Sequence, residues 1–166
     1  MYIEIAKGNI RCRNILIDKK DLHLHIMEHA NQPLYRSIYL YDEEALKYVG
    51  KNGTLKGYYG VRDIDNVLID IDKGDNSNEL TLQKIQGIIL ELEEAGVAKE
   101  SLQAYFSGSG YHLVITNEVF GFSPSDSLPW IVKSTISKLF PGVDTSIYMR
   151  TGMYRVQHTP NQKTNL

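Results

Sequence analysis

The 166-residue sequence predicts an α+β protein, and three observations predict it. Val67-Leu68-Ile69-Asp70-Ile71-Asp72 reads as a strand with period-2 alternation. Two stretches, 81–95 and 128–140, place apolar residues at helical spacing and end at glycine or proline. Between them, two alternating runs flank Gly108-Ser109-Gly110, as in a β-hairpin.

Met1 to Ala6 and Asn14 to Asp18 are the first strand candidates. Asp21 to Met27 alternates, which predicts another strand with His23 and His25 on its polar face. His23, His25, His29 and Cys12 can be drawn as a metal set, but they lack the paired Cys/His knuckles of structural zinc sites. Leu34 to Tyr39 is a strand carrying Arg36, a candidate phosphate or template contact, and Asp42 to Val49 has the composition of a short helix. Gly53, Gly57 and Gly60 then punctuate the approach to the strand that ends at Asp72.

Beyond Asp72, turn and cap formers at Asp75 to Asn78 precede a helix over Thr81 to Ala95, closed by Gly96. Leu102 to Ser107 and Tyr111 to Ile115 form the hairpin. Ser125 or Asp126 can cap a helix from Leu128 to Phe140, which Pro141-Gly142 ends, and Tyr154 to His158 makes a last strand. The order over residues 61–166 is β-α-β-β-α-β, a ferredoxin-like or RNA-recognition-type unit, preceded by an N-terminal α/β module over 1–60. That topology makes the first and third strands central neighbours and sets the fourth on the other side of the first. It places His112 on an open sheet face beside Asp70 and Asp72, with Tyr105, Ser107, Arg155 and Gln157.

The composition, 42% hydrophobic and 23% charged, is that of a globular domain, and the length suits one domain. The net charge of −2 hides an asymmetry: from Lys133 onward Lys138, Arg150, Arg155 and Lys163 stand against one acid, Asp144. A single cysteine forms no internal disulfide, and no run of 18 apolar residues is present, so a soluble protein of a reducing cytoplasm, without membrane partners, is expected.

Carboxylates at i and i+2 of a strand can converge on one hard divalent cation, commonly together with substrate phosphates. Asp70 and Asp72 have that spacing, and the Ser-Gly-Ser-Gly turn can offer backbone N–H groups to phosphate. Nucleotidyl transfer requires such carboxylates, one or two divalent ions and donors for a triphosphate. A non-catalytic nucleic-acid-binding module of the RNA-recognition type and a metal-dependent nuclease are the alternatives. The first calls for stacking aromatics where the acids stand, and the second needs no triphosphate pocket.

These residues resemble the archaeo-eukaryotic primase superfamily, which includes phage- and plasmid-type primase-polymerases. Leu68-Ile69-Asp70-Ile71-Asp72 is similar to its first motif, Phe106-Ser107-Gly108-Ser109-Gly110-Tyr111-His112-Leu113 to its second, and Val143-Asp144 to the acid of its third. Arg155 to Thr164 is similar to its arginine strand and loop, with Asn161 before a lysine-threonine pair. The resemblance covers roughly Tyr58 to the end and implies a single catalytic domain over 1–166, with the active site between the RNA-recognition-type unit and the N-terminal layer. It implies a DNA primase or primase-polymerase that makes or extends primers on single-stranded DNA from nucleoside triphosphates, using Mg²⁺ or Mn²⁺. Asp70, Asp72 and Asp144 are the implied metal ligands and catalytic residues. Ser107, Ser109, Gly110, His112, Arg155 and Lys163 are the implied nucleotide contacts, with Arg36, Arg150 and Asn161 as further phosphate or template contacts. The family's zinc-binding insertion is not recognisable. Because members continue past the lysine-threonine pair, often into a helicase, the chain is expected to be a fragment of a longer protein, with a helicase domain or subunit as a partner. A phage-encoded member would work in the host cytoplasm.

Overall fold

The computed structural model describes residues 1–161, and in it the α+β class is realised as two antiparallel sheets with four helices. In chain order the elements are β1 (Tyr2–Lys7), β2 (Ile15–Asp18), α1 (Leu22–Glu28), β3 (Leu34–Tyr41), α2 (Glu43–Asn52) and β4 (Arg62–Asp63). Then follow β5 (Asn66–Asp72), α3 (Asn78–Glu94), β6 (Leu102–Phe106), β7 (Gly110–Thr116), α4 (Leu128–Leu139) and β8 (Met153–Arg155). The N-terminal sheet has the order β2-β1-β3-β4, with β8 also paired to β3, and the second sheet has the order β5-β7-β6.

Local chemistry sets the helix ends. The Asp42 side chain accepts hydrogen bonds from the Glu44 and Ala45 amides to open α2, and Gly53 closes it at φ +68°. Ser77 caps α3 through the Leu80 amide, and Pro129 occupies the first turn of α4.

Two expectations fail. Residues 22–28 form α1 rather than a strand. Leu22 and Ile26, four apart, both pack on the cluster of Ile3, Ile5, Leu34, Leu40 and Val156, so helical spacing prevails over the short Leu-His-Leu-His alternation. The last strand is shorter than the expected Tyr154 to His158 and does not lie beside β5. It pairs instead with β3, Tyr35 opposite Arg155 and Ser37 opposite Met153. The edge of β3 beyond β4 otherwise lacks a partner for its buried backbone groups, and β8 supplies one. The chain is steered there by Tyr148, buried between the sheets with its hydroxyl donating to the Leu68 carbonyl, and by Gly152, where a Cβ would fall 1.6 Å from the Ile147 carbonyl oxygen. Among the described residues, the bridge of Asp70 with Asp144 is what remains at the β5 edge.

The larger core joins both sheets. Val67, Leu68, Ile69, Leu113 and Ile115 meet Ile85 of α3, Val132 and Ile136 of α4, and Ile38, Tyr39 and Tyr41 of β3. No helix among the described residues is long and apolar enough to cross a membrane.

Candidate functional site

Strand register builds the site. Asp70 on β5 lies opposite His112 on β7, which lies opposite Tyr105 on β6, so the three side chains share one row across the sheet. The Asp70–Asp144 bridge extends that row past the sheet edge. His112 Nδ1 is 3.1 Å from the Tyr105 hydroxyl, and its Nε2 is 3.4 Å from Asp70 Oδ1. Burial pushes the Tyr105 phenol well above its ordinary value, so it stays a protonated donor at neutral pH.

Asp70, Asp72 and Asp144 line one cleft of about 540 Å³, closed on its other side by Gln83, Lys84, Gly87, Ile88 and Glu91 of α3 and by residues 139–143. Asp144 is exposed, and its carboxylate accepts from the Ser146 amide at 2.7 Å and the Ser146 hydroxyl at 2.9 Å. Asp70 Oδ1 is buried without a hydrogen-bond partner among the described residues. A desolvated carboxylate oxygen in that state fits a cation, because it otherwise carries the full cost of its lost water. The three acids surround the cleft rather than closing a cage. Among the described residues, a group of three ligand atoms all within 4.8 Å of one another occurs at His25, Glu28 and His29.

The remaining expected residues divide differently. His112 does not stand on an open face: it is 8% exposed, because β8 and Tyr148 bring the N-terminal sheet over that side of β5 and β7. Ser107 and Asn161 are buried too. The Ser107 carbonyl accepts from Asn161 Nδ2 at 2.8 Å and from Arg155, whose guanidinium also donates to the Thr159 carbonyl. Arg155 and Asn161 therefore clamp the hairpin turn rather than face the acidic cleft. Within that turn Gly108 adopts φ +95°, and the Ser109 carbonyl accepts from the Lys73 amide. Gly110 runs so close to β5 that a Cβ would lie 2.2 Å from the Ile71 carbonyl oxygen, which leaves room for no side chain.

Arg36 is buried and paired with Asp65 at 3.1 Å, stacked on the Tyr154 ring. Burial works against the Asp65 carboxylate, yet Arg36 and Lys19 together hold its pKa below the ordinary carboxyl value. Arg150 is exposed and lies over the Tyr59 ring at 4.7 Å. Lys163 falls outside the described residues.

Sequence reasoning missed the α3 wall of the cleft. Lys84, Gly87, Ile88 and Glu91 fall at i, i+3, i+4 and i+7, a helical stripe visible in the sequence but masked by the adjoining apolar stripe. Comparison with protein-family models and with curated protein sequences finds no match.

Proposed function

We propose that the cleft lined by Asp70, Asp72 and Asp144 is the site of metal-dependent nucleotidyl transfer from nucleoside triphosphates, in the manner of a primase-polymerase extending or making primers on single-stranded DNA. One observation carries the reading: acids 74 positions apart (144 − 70) in sequence are joined by a backbone bridge and face the same cleft. A divalent cation, Mg²⁺ or Mn²⁺, would supply charge neutralisation for the triphosphate and the leaving pyrophosphate. Asp70, with its buried unpartnered oxygen, Asp72 and Asp144 would hold it. Lys84, on the opposite wall, supplies a positive charge to polyphosphate. His112 acts through Asp70: its ring packs with Nε2 3.4 Å from Asp70 Oδ1 and limits where the carboxylate can lie, so it is a positioning residue.

Support for a single-stranded partner comes from the surface around Arg150. Trp130 and Tyr59 are 70% and 68% exposed, and Arg150 stacks on Tyr59. Exposed aromatics beside cations suit bases and phosphates of a single strand. The one thiol, exposed at Cys12, fits a reducing cytoplasm.

The test is primer synthesis and extension on single-stranded DNA with Mn²⁺ or Mg²⁺, read beside melting temperatures with and without Mn²⁺ and triphosphate. Asp70→Asn and Asp72→Asn should abolish extension and the ligand-induced shift, while Asp75→Asn, at an exposed acid outside the cleft, should retain both. Template-strand cleavage without triphosphate uptake would instead favour a nuclease, and DNA binding indifferent to metal a non-catalytic module. Full extension by Asp70→Asn would remove the reading altogether.

A further inference from the structure

A second group of side chains that could hold a metal stands at the C-terminal end of α1 and on the capping residue after it, apart from the acidic cleft. His25 lies in the last turn of α1 and His29 is its C-cap, whose backbone N–H donates to the His25 carbonyl, and Glu28 lies beside them. Their rings are nearly parallel, with an interplanar angle of 10° and centroids 6.2 Å apart. His25 Nδ1 and His29 Nε2 are both buried and have no hydrogen-bond partner among the described residues. Glu28 Oε2 faces both, at 3.6 and 3.9 Å, which is too long for a hydrogen bond to either.

We propose that His25 Nδ1, Glu28 Oε2 and His29 Nε2 bind a transition-metal dication of the Zn²⁺ type. Two imidazoles and one carboxylate are a donor set that such ions take, with a solvent molecule in the remaining position. The ligand atoms already lie within 4.8 Å of one another, and tetrahedral coordination needs about 3.4 Å between them, a closure small enough for side-chain rotation alone. Both imidazoles are about a fifth exposed, and Glu28 is mostly exposed, so an ion has an entry path. The Gln32 side-chain amide is 2.8 Å from His29 Nδ1. The near atom is the amide nitrogen, Gln32 Nε2, and turning the amide by 180° puts its oxygen there, so that Nδ1 becomes the donor and Nε2 keeps its lone pair for the metal. The ion joins the end of α1 to the turn that leads into β3. Nothing in this site depends on the nucleotidyl-transfer reading.

The experiment is calorimetric titration of Zn²⁺ into the whole chain with excess Mg²⁺ present, since Mg²⁺ occupies oxygen ligands and leaves imidazole sites open. Wild type should bind one Zn²⁺ per chain. His25→Ala and His29→Ala should each weaken that binding by more than about tenfold, and Glu28→Gln by less. Nitrogen-detected NMR of the wild-type imidazoles, which needs no variant to fold, should move His25 and His29 on Zn²⁺ addition and leave His112 in place. Unchanged Zn²⁺ affinity in the double variant His25→Ala/His29→Ala, or wild-type spectra in which the His25 and His29 nitrogens do not respond, would overturn the assignment.

Discussion

His112→Ala separates the structure from the expectation of an open sheet face. An open-face histidine supports no core, and its loss would leave the melting temperature unchanged. The observed ring is buried and holds the Tyr105 hydroxyl at 3.1 Å, so its removal takes away packing and leaves that hydroxyl without its partner. A polar atom left without its partner costs about 1–3 kcal/mol, and the middle of that range for the hydroxyl plus about 1 kcal/mol of lost ring packing gives about 3 kcal/mol. For a chain of this length each kcal/mol moves the melting temperature by about 2–4 °C, so a fall of about 6–12 °C is expected. Calorimetry at neutral pH without metal or nucleotide reads it directly. Tyr105→Phe completes a double-mutant cycle: because both changes break the same 3.1 Å contact, their effects should fall short of additivity by about 1 kcal/mol. A melting temperature within about 2 °C of wild type, or fully additive effects, would refute the argument that the Tyr105–His112–Asp70 row is structural as well as site-building.

Arg36→Met leaves Asp65 buried with Lys19 alone, and breaking a buried pair in this way should cost about 3 kcal/mol at neutral pH. Because the folded Asp65 carboxyl titrates below its ordinary value, the stability it contributes is full above about pH 4 and is lost as pH falls through the folded value. Denaturation curves should therefore show the gap between variant and wild type narrowing towards acid, and a gap constant with pH would contradict the pairing. Gly87→Ala fills a position in mid-α3 where a Cβ meets no atom within 4 Å and where the chain lines the cleft. It should raise stability by about 0.5–1 kcal/mol through helix propensity while weakening Mn²⁺-dependent nucleotide binding. An unchanged nucleotide-induced melting shift would show that the ligand does not use the α3 wall.

Much of the fold was legible because single elements satisfy local rules. The strand at 66–72, the helices at 78–94 and 128–139 and the Gly108-Ser109 turn each carry their own period or cap, and each forms within two or three residues of its expected bounds. The failures lie where local signals are short or the decision is tertiary. In residues 21–27, six alternating positions imitate a strand, and the packing of Leu22 and Ile26 on a core assembled from β1, β3 and Val156 decides for a helix. That same helical spacing is what brings His25 and His29 together beside Glu28.

The placement of β8 has wider consequences for the site. A fourth strand beside β5 would have covered the Asp70–Asp72 edge with backbone. By pairing with β3 instead, β8 leaves that edge to a single bridge with Asp144 and to the cleft under α3. The cost of an unpaired edge is met by charge, since inward and edge carboxylates also block strand addition. The same relocation carries Arg155 to the Ser107 carbonyl and presses the N-terminal sheet over His112, turning expected ligand contacts into supports. Register alone put the acids and the histidine in one row, and it was readable from alternation. Which of those residues meets solvent depends on the partner that β8 chooses, and no local pattern within Met153–Arg155 distinguishes the edge of β3 from the edge of β5.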